Sequence, residues 1–515
     1  MNNKNNFIAT LSRTLAIVLI LFAFSCKEEA LEEHYEQLDD RLETSILETL
    51  SSDSDYSTFL QLIKQTGYEH LLSSSQAFTV WAPNNEALSM VSSTILNDDV
   101  ALTALIGNHI SRFTYNSTIS YNEELQDNSV LVKMFNNKYV EFSNAGGQVT
   151  FGDVAVQDAD ILTTNGVLHK MSDVLTVSPN IWSYLNDNAN DFPELITYFE
   201  QFNKISFDEE NSVSLGQNSL GQTVYDSVFS ITNTRFSTIG DLSSEESRFT
   251  FLGLTDAAYT GVYDSFKDFY QFPVEDSVKT NTNRTIFNNL NFFPIVELED
   301  LDGITTNRNT AGNNVIIDPA SVTENFSLSN GNLFVVNELN YDPKNVMYKP
   351  IRYEIENPER RTIGNLSEFS VVQDFDETAS GRFTNTVNLL ANPDNNDSNN
   401  YVEVAFTNVL SASYKINVKF SRVGASKKTK LKFELSYVDA SKQTVVHEID
   451  AIDVSNLEEG VVTIGDIYDI PVFVNNEIDN DYFVKLKVIV DVIDAELILY
   501  DRKFGLDYVE LTPVE

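Results

Sequence analysis

The sequence predicts a multidomain chain, α+β in its first two domains and all-β in its last: two β-sandwich/helix domains, then an antiparallel β-sandwich of the jelly-roll type. Three observations lead to this reading. A pair of short signatures starts at Thr79 and Asn165 and returns at Thr250 and Asn330, at similar separation. Beyond residue 358, apolar and polar residues alternate with the period of a half-buried strand. The single cysteine of the 515 residues closes an apolar run at the N-terminus. With 42% apolar and 11% aromatic residues the chain can fill real cores. Its 34 basic against 76 acidic residues give a formal charge of −42, a field that repels phosphate backbones and excludes nucleic acid as a partner.

Residues 1–25 read as a secretory signal. Lys4 and Arg13 precede the apolar stretch Leu15–Phe24, which is too short to span a bilayer, and Ser25 stands before Cys26. The end of this segment resembles a lipobox, which implies cleavage before Cys26 and acylation of that cysteine, so that the chain meets the membrane through its lipid. Lys27-Glu28-Glu29 resembles the acidic tag that exports lipoproteins to the outer face of an outer membrane. The resulting expectation is a lipid-anchored outer-membrane protein facing the cell exterior. Residues 26–52 form an acidic tether and a helix, on which Leu38, Leu42, Ile46 and Leu50 make one apolar stripe.

The first domain is expected over 53–178. Phe59, Leu62 and Ile63 share a helix face, and Gly67 ends that helix. Phe78–Ala82 is a buried strand stopped at Pro83, with Asn84 or Asn85 capping the helix that follows. Tyr139–Phe142 and Val149–Phe151 flank Asn144–Gly147 as a hairpin. Asn165-Gly166 turns between two further strands that end near Leu175.

These pieces resemble the fasciclin (FAS1) family. Its first signature is similar to Thr79–Leu88, with Trp81 for Phe and Asn84 for Thr. Its second is similar to Asn165–Ser172, with Ser172 for Asp, and Leu105–Ile110 resembles the segment that carries the family's histidine, here His109. A divergent copy follows over 182–342. There Arg248–Tyr259 matches the first signature with Leu254 for Pro, keeping Thr255 and Asp256 at the helix start. Asn330-Gly331 opens the second, with Phe334 where His169 stands in the first copy. The resemblance implies cell adhesion and a structural role for the motif residues.

Pro343, Pro350 and Pro358 mark a linker over 343–358. In the C-terminal sandwich, 359–515, strands are expected at Tyr401–Phe406, Tyr414–Phe420, Leu431–Tyr437, Phe483–Val490, Glu496–Tyr500 and Asp507–Leu511. Tyr401–Val404, Tyr414–Val418 and Leu506–Pro513 resemble jelly-roll modules of carbohydrate-binding proteins.

No catalytic constellation appears. The five histidines lack metal-ligand spacing, so no metal or cofactor is expected. His109 and His169 read as buried imidazoles bonded to backbone. No acid pair stands out for glycoside hydrolysis, and no nucleophile motif occurs. Asn392–Asp397 reads as a turn, with calcium as the alternative. Tyr353, Tyr401, Tyr437 and Tyr482 are the tyrosines available for sugar stacking. Arg422, Lys427, Lys428, Lys430 and Lys432 form a basic hairpin, either solvated or a dock for an acidic partner. The function expected is therefore non-catalytic: a surface binding or adhesion protein, extending to a glycan-binding accessory of an outer-membrane polysaccharide-uptake system. The alternative is a structural subunit of an outer-membrane protein complex.

Overall fold

The structure, a computed structural model, describes residues 43–514 apart from 119–128, 218–222, 365, 377–381, 392–399, 424–426 and 476–480. The expectations for Cys26, Lys27, Glu28, Glu29, Leu38, Leu42 and the turn 392–397 lie outside the described residues. The chain divides into two compact units, one ending at Asn180 and one beginning at Ile181.

The first helix among the described residues of unit 1 is Ile46–Ser51, which buries Ile46 and Leu50 of the predicted stripe. Ser45 Oγ accepts from the Glu48 N–H while the Glu48 carboxylate accepts from the Ser45 N–H, a reciprocal cap that starts the helix there. Helix Ser57–Gln65 buries Phe59, Leu62 and Ile63, and Gly67 follows in the left-handed region at φ 80°.

Seven strands follow: β1 (Phe78–Pro83), β2 (Ile110–Arg112), β3 (Ser129–Lys133), β4 (Tyr139–Ala145), β5 (Gln148–Phe151), β6 (Val154–Thr163) and β7 (Gly166–Met171). They form one sheet in the order β2-β1-β7-β6-β5-β4-β3. Only the β1–β7 pair is parallel. That pair is interior, flanked by β2 and β6, and β1 is buried along its whole length. Phe78, Val80 and Ala82 pack with the helices, while Trp81 packs with Phe142, Phe151 and Met171 on the other side. Gly146 and Gly147, both at positive φ, turn the β4–β5 hairpin.

Unit 2 begins with helices Ile181–Asp187 and Pro193–Glu200, followed by the ribbon β8 (Asn203–Gln217) and β9 (Thr223–Asn233), an element that no motif announced. β10 (Phe249–Leu254), β11 (Asn291–Phe292), β14 (Val322–Leu328) and β15 (Gly331–Val336) make a sheet in the order β11-β10-β15-β14, and β12 (Thr306–Arg308) pairs with β13 (Asn314–Ile316). The β10–β15 pair is again parallel, and in this four-stranded sheet it is central.

The remaining strands build two stacked antiparallel sheets. One holds β18 (Leu366–Asp376), β19 (Arg382–Ala391), β26 (Lys503–Val514), β21 (Ala412–Ser421) and β24 (Gly460–Ile470), with β16 (Ile351–Glu354) added beside β26. The other holds β17 (Arg361–Ile363), β20 (Tyr401–Phe406), β25 (Val484–Val490), β22 (Thr429–Val438) and β23 (Thr444–Val454). Alternating residues such as Ile416, Val418, Leu431, Phe433, Leu486 and Val509 fill the core between them.

Two expectations are corrected here. Residues 343–358 are not a plain linker: Pro343 starts a short helix, and Ile351–Glu354 alternates in burial well enough to pair with Tyr508–Leu511. Glu496–Tyr500 is not a strand either. The Glu496 carboxylate accepts from the Ile493 N–H and holds Lys430 at 2.5 Å, which closes a tight turn at Asp494–Glu496. The sandwich and the second copy also share a core, since Leu410 and Phe473 pack with Tyr270, Phe287 and Met347. Backbone bonds Ser411 N–H to Phe269 O and Phe473 N–H to Gln271 O, each 2.8 Å, fasten the seam.

Candidate functional site

The signature residues occupy equivalent places in the two copies. Phe78 faces Gly166 in register, as Phe249 faces Gly331. A β-carbon on either glycine would collide with the carbonyl oxygen of the facing phenylalanine, and both glycines have φ near 140°. Only glycine fits there. Asn165 accepts from the Ile46 N–H at 2.9 Å and donates to Leu72 O at 2.7 Å. Asn330 accepts from the Ile181 N–H at 2.8 Å and donates to Leu242 O and Ser244 O. Each asparagine thus ties the start of its domain to the turn before its last strand. Thr79 Oγ1 donates to Phe113 O and accepts from the Tyr115 N–H, and Thr250 does the same with the backbone of Val296.

Asn84, not Asn85, caps the helix at Asn85–Ser89, accepting from the Ala87 N–H at 2.8 Å. Asn85 instead accepts from the Thr58 N–H at 2.9 Å and donates to Ser54 O, capping the helix Ser57–Gln65 from outside. In the second copy Thr255 is the cap, accepting from the Ala258 N–H, and Asp256 is the first helical residue. An acid there faces the positive end of the helix.

His169 is fully buried, its ring stacked 5.4 Å from that of Trp81. Its Nδ1 accepts from the Asp160 N–H, which leaves Nε2 to donate to Tyr115 O at 2.9 Å. His109 is equally buried, with Nε2 accepting from the Leu175 N–H and Nδ1 donating to Leu105 O. Burial lowers both pKa values, that of His109 to about 4, so both rings are neutral at pH 7. Neither reaches solvent. In the second copy Leu290 O takes the place of His109 O opposite the strand, and Phe334 pairs where His169 does. Beside these elements unit 1 presents an apolar groove of about 430 Å³, flanked by Met90, Val91, Ile95 and Val174.

The sandwich surface offers fewer free groups than its sequence suggests. Tyr353, Tyr437 and Tyr482 are buried, and Lys487 sits 4.8 Å over the ring of Tyr401. In the basic hairpin Arg422 pairs with Glu459, Lys428 with Asp453, and Lys430 with Asp491 and Glu496, while Lys427 donates to Leu497 O. This neutralisation argues against a phosphate dock. The buried pair Lys419–Asp507, 3.0 Å, lies on the face turned away from the core, where a bulge in β26 sets Asp507 and Tyr508 together against Lys419. Among the described residues no cluster of His, Cys, Asp and Glu could hold a metal ion.

The site with unspent polar chemistry lies in unit 2, at the seam between the second copy and the sandwich. It is a cleft of about 440 Å³ whose lining includes Asn288, Asn289, Asn313, Asn408 and Asn475, together with Arg284 and no acidic residue. Tyr270 and Phe473, edge to face at 5.0 Å, contribute its aromatic part. Helix Glu275–Asn288 places Arg284 and Asn288 one turn apart on a common face. Asn289 Oδ1 accepts from the side-chain amides of Asn309 and Asn313, each at 2.7 Å, so the wall is held in place before any ligand arrives. None of these residues belongs to a signature. The available signal was the density of asparagine in Asn281–Asn291, unusual for a helix that must also bury Ile286 and Phe287.

Against known proteins, the fasciclin domain model matches residues 54–177. Among solved structures, the chain is similar to a FAS1 domain pair from the insect cell adhesion molecule fasciclin I, at 16% identity, covering 56% of this chain and 98% of that one with a TM-score of 0.23. It is also similar to the CBM22-1 xylan-binding domain of Paenibacillus barcinonensis Xyn10C, at 14% identity, covering 32% of this chain and 94% of that one with a TM-score of 0.23. A family 35 carbohydrate binding module from Clostridium thermocellum matches at 18% identity, with 31% and 97% covered and a TM-score of 0.18. Residues 54–177 are a fasciclin domain.

Proposed function

We propose that this protein is a non-catalytic, glycan-binding surface lipoprotein, with the fasciclin units as scaffold and the seam cleft in unit 2 as its ligand site. The observation that carries this reading is the cleft lining, five asparagines, Arg284 and two aromatic rings in one fixed wall. Side-chain amides both donate and accept, which matches sugar hydroxyls, and pockets at domain junctions are common ligand sites. The fasciclin histidines do not compete for this role, because their ring nitrogens are already bonded inside unit 1. The resemblance of the sandwich to carbohydrate-binding modules supports the same class of ligand, at the edge of the sandwich rather than on a sheet face. Anchorage by Cys26 and exposure through Lys27, Glu28 and Glu29 complete the proposal.

The test is a glycan array probed with a chain running from Lys27 to Glu515, which retains every element described. Asn408→Gly removes one lining amide at a residue whose φ is 57°, where glycine keeps the backbone comfortable. Selective binding that this variant weakens supports the site; an array without signal sinks it and favours the structural-subunit alternative. For the anchor, Cys26→Ala should abolish labelling by a fatty-acid analogue, since no other thiol exists. Equal label in the variant would remove Cys26 from that role.

A further inference from the structure

We infer that the ligand of the seam cleft carries an anionic group, a carboxylate or a sulfate on a sugar, held by Arg284 and Asn288; this rests on the glycan-binding reading above. The chain as a whole carries 76 acidic against 34 basic residues, yet the cleft lining contains Arg284 and no acid. A local reversal of sign in so acidic a molecule has no use in solubility, which the rest of the surface already supplies.

The hydrogen bonds sharpen the point. Arg235 Nη2 donates to Asn288 Oδ1 at 2.6 Å, and Lys349 Nζ donates to Asn313 Oδ1. Each cation therefore occupies the acceptor atom of a lining amide. For Asn288 what remains is the NH₂ group, and Arg284 adds a guanidinium that spends one nitrogen on Asn281 Oδ1. The Asn289 acceptor is taken by two other amides. Among the described residues, Arg235 and Arg284 form no ion pair, and Arg235 Nε is buried without a partner. Asn289 and Asn313 spend their NH₂ groups as well, on Thr285 O and Asn289 Oδ1, so among these groups the donors that remain are the Asn288 NH₂ and the Arg284 guanidinium, with Arg235 behind Asn288. An anion with two or three oxygens complements such a wall; a neutral hydroxyl uses it only in part.

Calorimetric titration of the chain from Lys27 to Glu515 with paired probes tests this. The pairs are galacturonic acid against galactose, glucuronic acid against glucose, and galactose 6-sulfate as the second anionic source. At low ionic strength one anionic probe should bind about tenfold or more tightly than its neutral partner, and the ratio should shrink as salt rises. Carboxylate and sulfate arms distinguish the two sources. Arg284→Gln should bring the ratio close to one, and Arg284→Lys should restore part of it. Thermal unfolding followed by Trp182 verifies that both variants remain folded. Equal affinity for acidic and neutral sugars, or a preference that survives Arg284→Gln, overturns the inference and leaves the glycan-binding reading standing. Absence of binding by every probe, together with a silent array, removes both.

Discussion

Acid should unfold the first fasciclin domain before its divergent copy, because only the first carries buried histidines. His109 titrates near 6.5 in an unfolded chain and near 4 in the fold, where burial opposes the charged ring and the Leu105 carbonyl only partly offsets it. A group whose folded pKa is depressed stabilises above its unfolded pKa and loses that contribution as pH falls toward the folded value. The window is therefore pH 6.5 down to 4. At pH 5 the loss from His109 alone is about 2 kcal/mol, or 1.5 pH units at about 1.4 kcal/mol each. His169, also depressed by burial, acts in the same direction. A loss of about 2 kcal/mol lowers the melting temperature of a domain this size by about 4–8 °C. The two tryptophans make the assay simple, since Trp81 lies in unit 1 and Trp182 in unit 2. In a Trp182→Phe chain, melting followed by Trp81 fluorescence from pH 7.5 to 4.5 should show the shift, and His109→Leu, the residue standing at this place in the second copy, should flatten it. A Trp81 melting point that stays level across this window, or a slope unchanged by His109→Leu, would refute the reasoning.

Gly166→Ala and Gly331→Ala should each cost more than about 3 kcal/mol, because the new methyl meets a backbone carbonyl of an inner strand that cannot move aside; soluble, fully folded alanine variants by circular dichroism would contradict this. Asn84→Ala should cost about 0.5–2 kcal/mol as a lost helix cap. Asn85→Ala should cost as much or more, since it strips partners from both Thr58 N–H and Ser54 O. Denaturant midpoints that rank Asn85→Ala as harmless would show that the outside cap carries no energy.

The fold was legible where a residue type has few uses. The two glycines, the two asparagines and the proline–asparagine stop appear in sequence as turn chemistry, and they sit at turns. The sandwich was legible because its strands alternate cleanly, as Tyr414–Phe420 does against a single core. What stayed hidden was pairwise. Nothing local distinguishes Asn84 from Asn85, since both can cap and the choice depends on Thr58, distant in sequence. The proline-rich stretch concealed β16, because Pro350 ends just before the strand and Ile351 and Tyr353 are too few to show a period alone. The cleft was least visible of all. It is assembled from Asn288, Asn313, Asn408 and Asn475, four segments that no spacing rule connects.

Phe78 cannot settle until Gly166 has been made. Parallel pairing of β1 with β7 puts an inner strand of the first sheet under the control of the last one made, and β10 waits for β15 in the same way. During synthesis an apolar strand therefore stands without its inner neighbour while the helices and hairpins between are being added, and closure comes late, with a long loop to be paid in entropy. In each of the two sheets the parallel pair is complete only once the second signature has been made, so a chain cut short before Asn165 or Asn330 lacks the inner neighbour of β1 or β10.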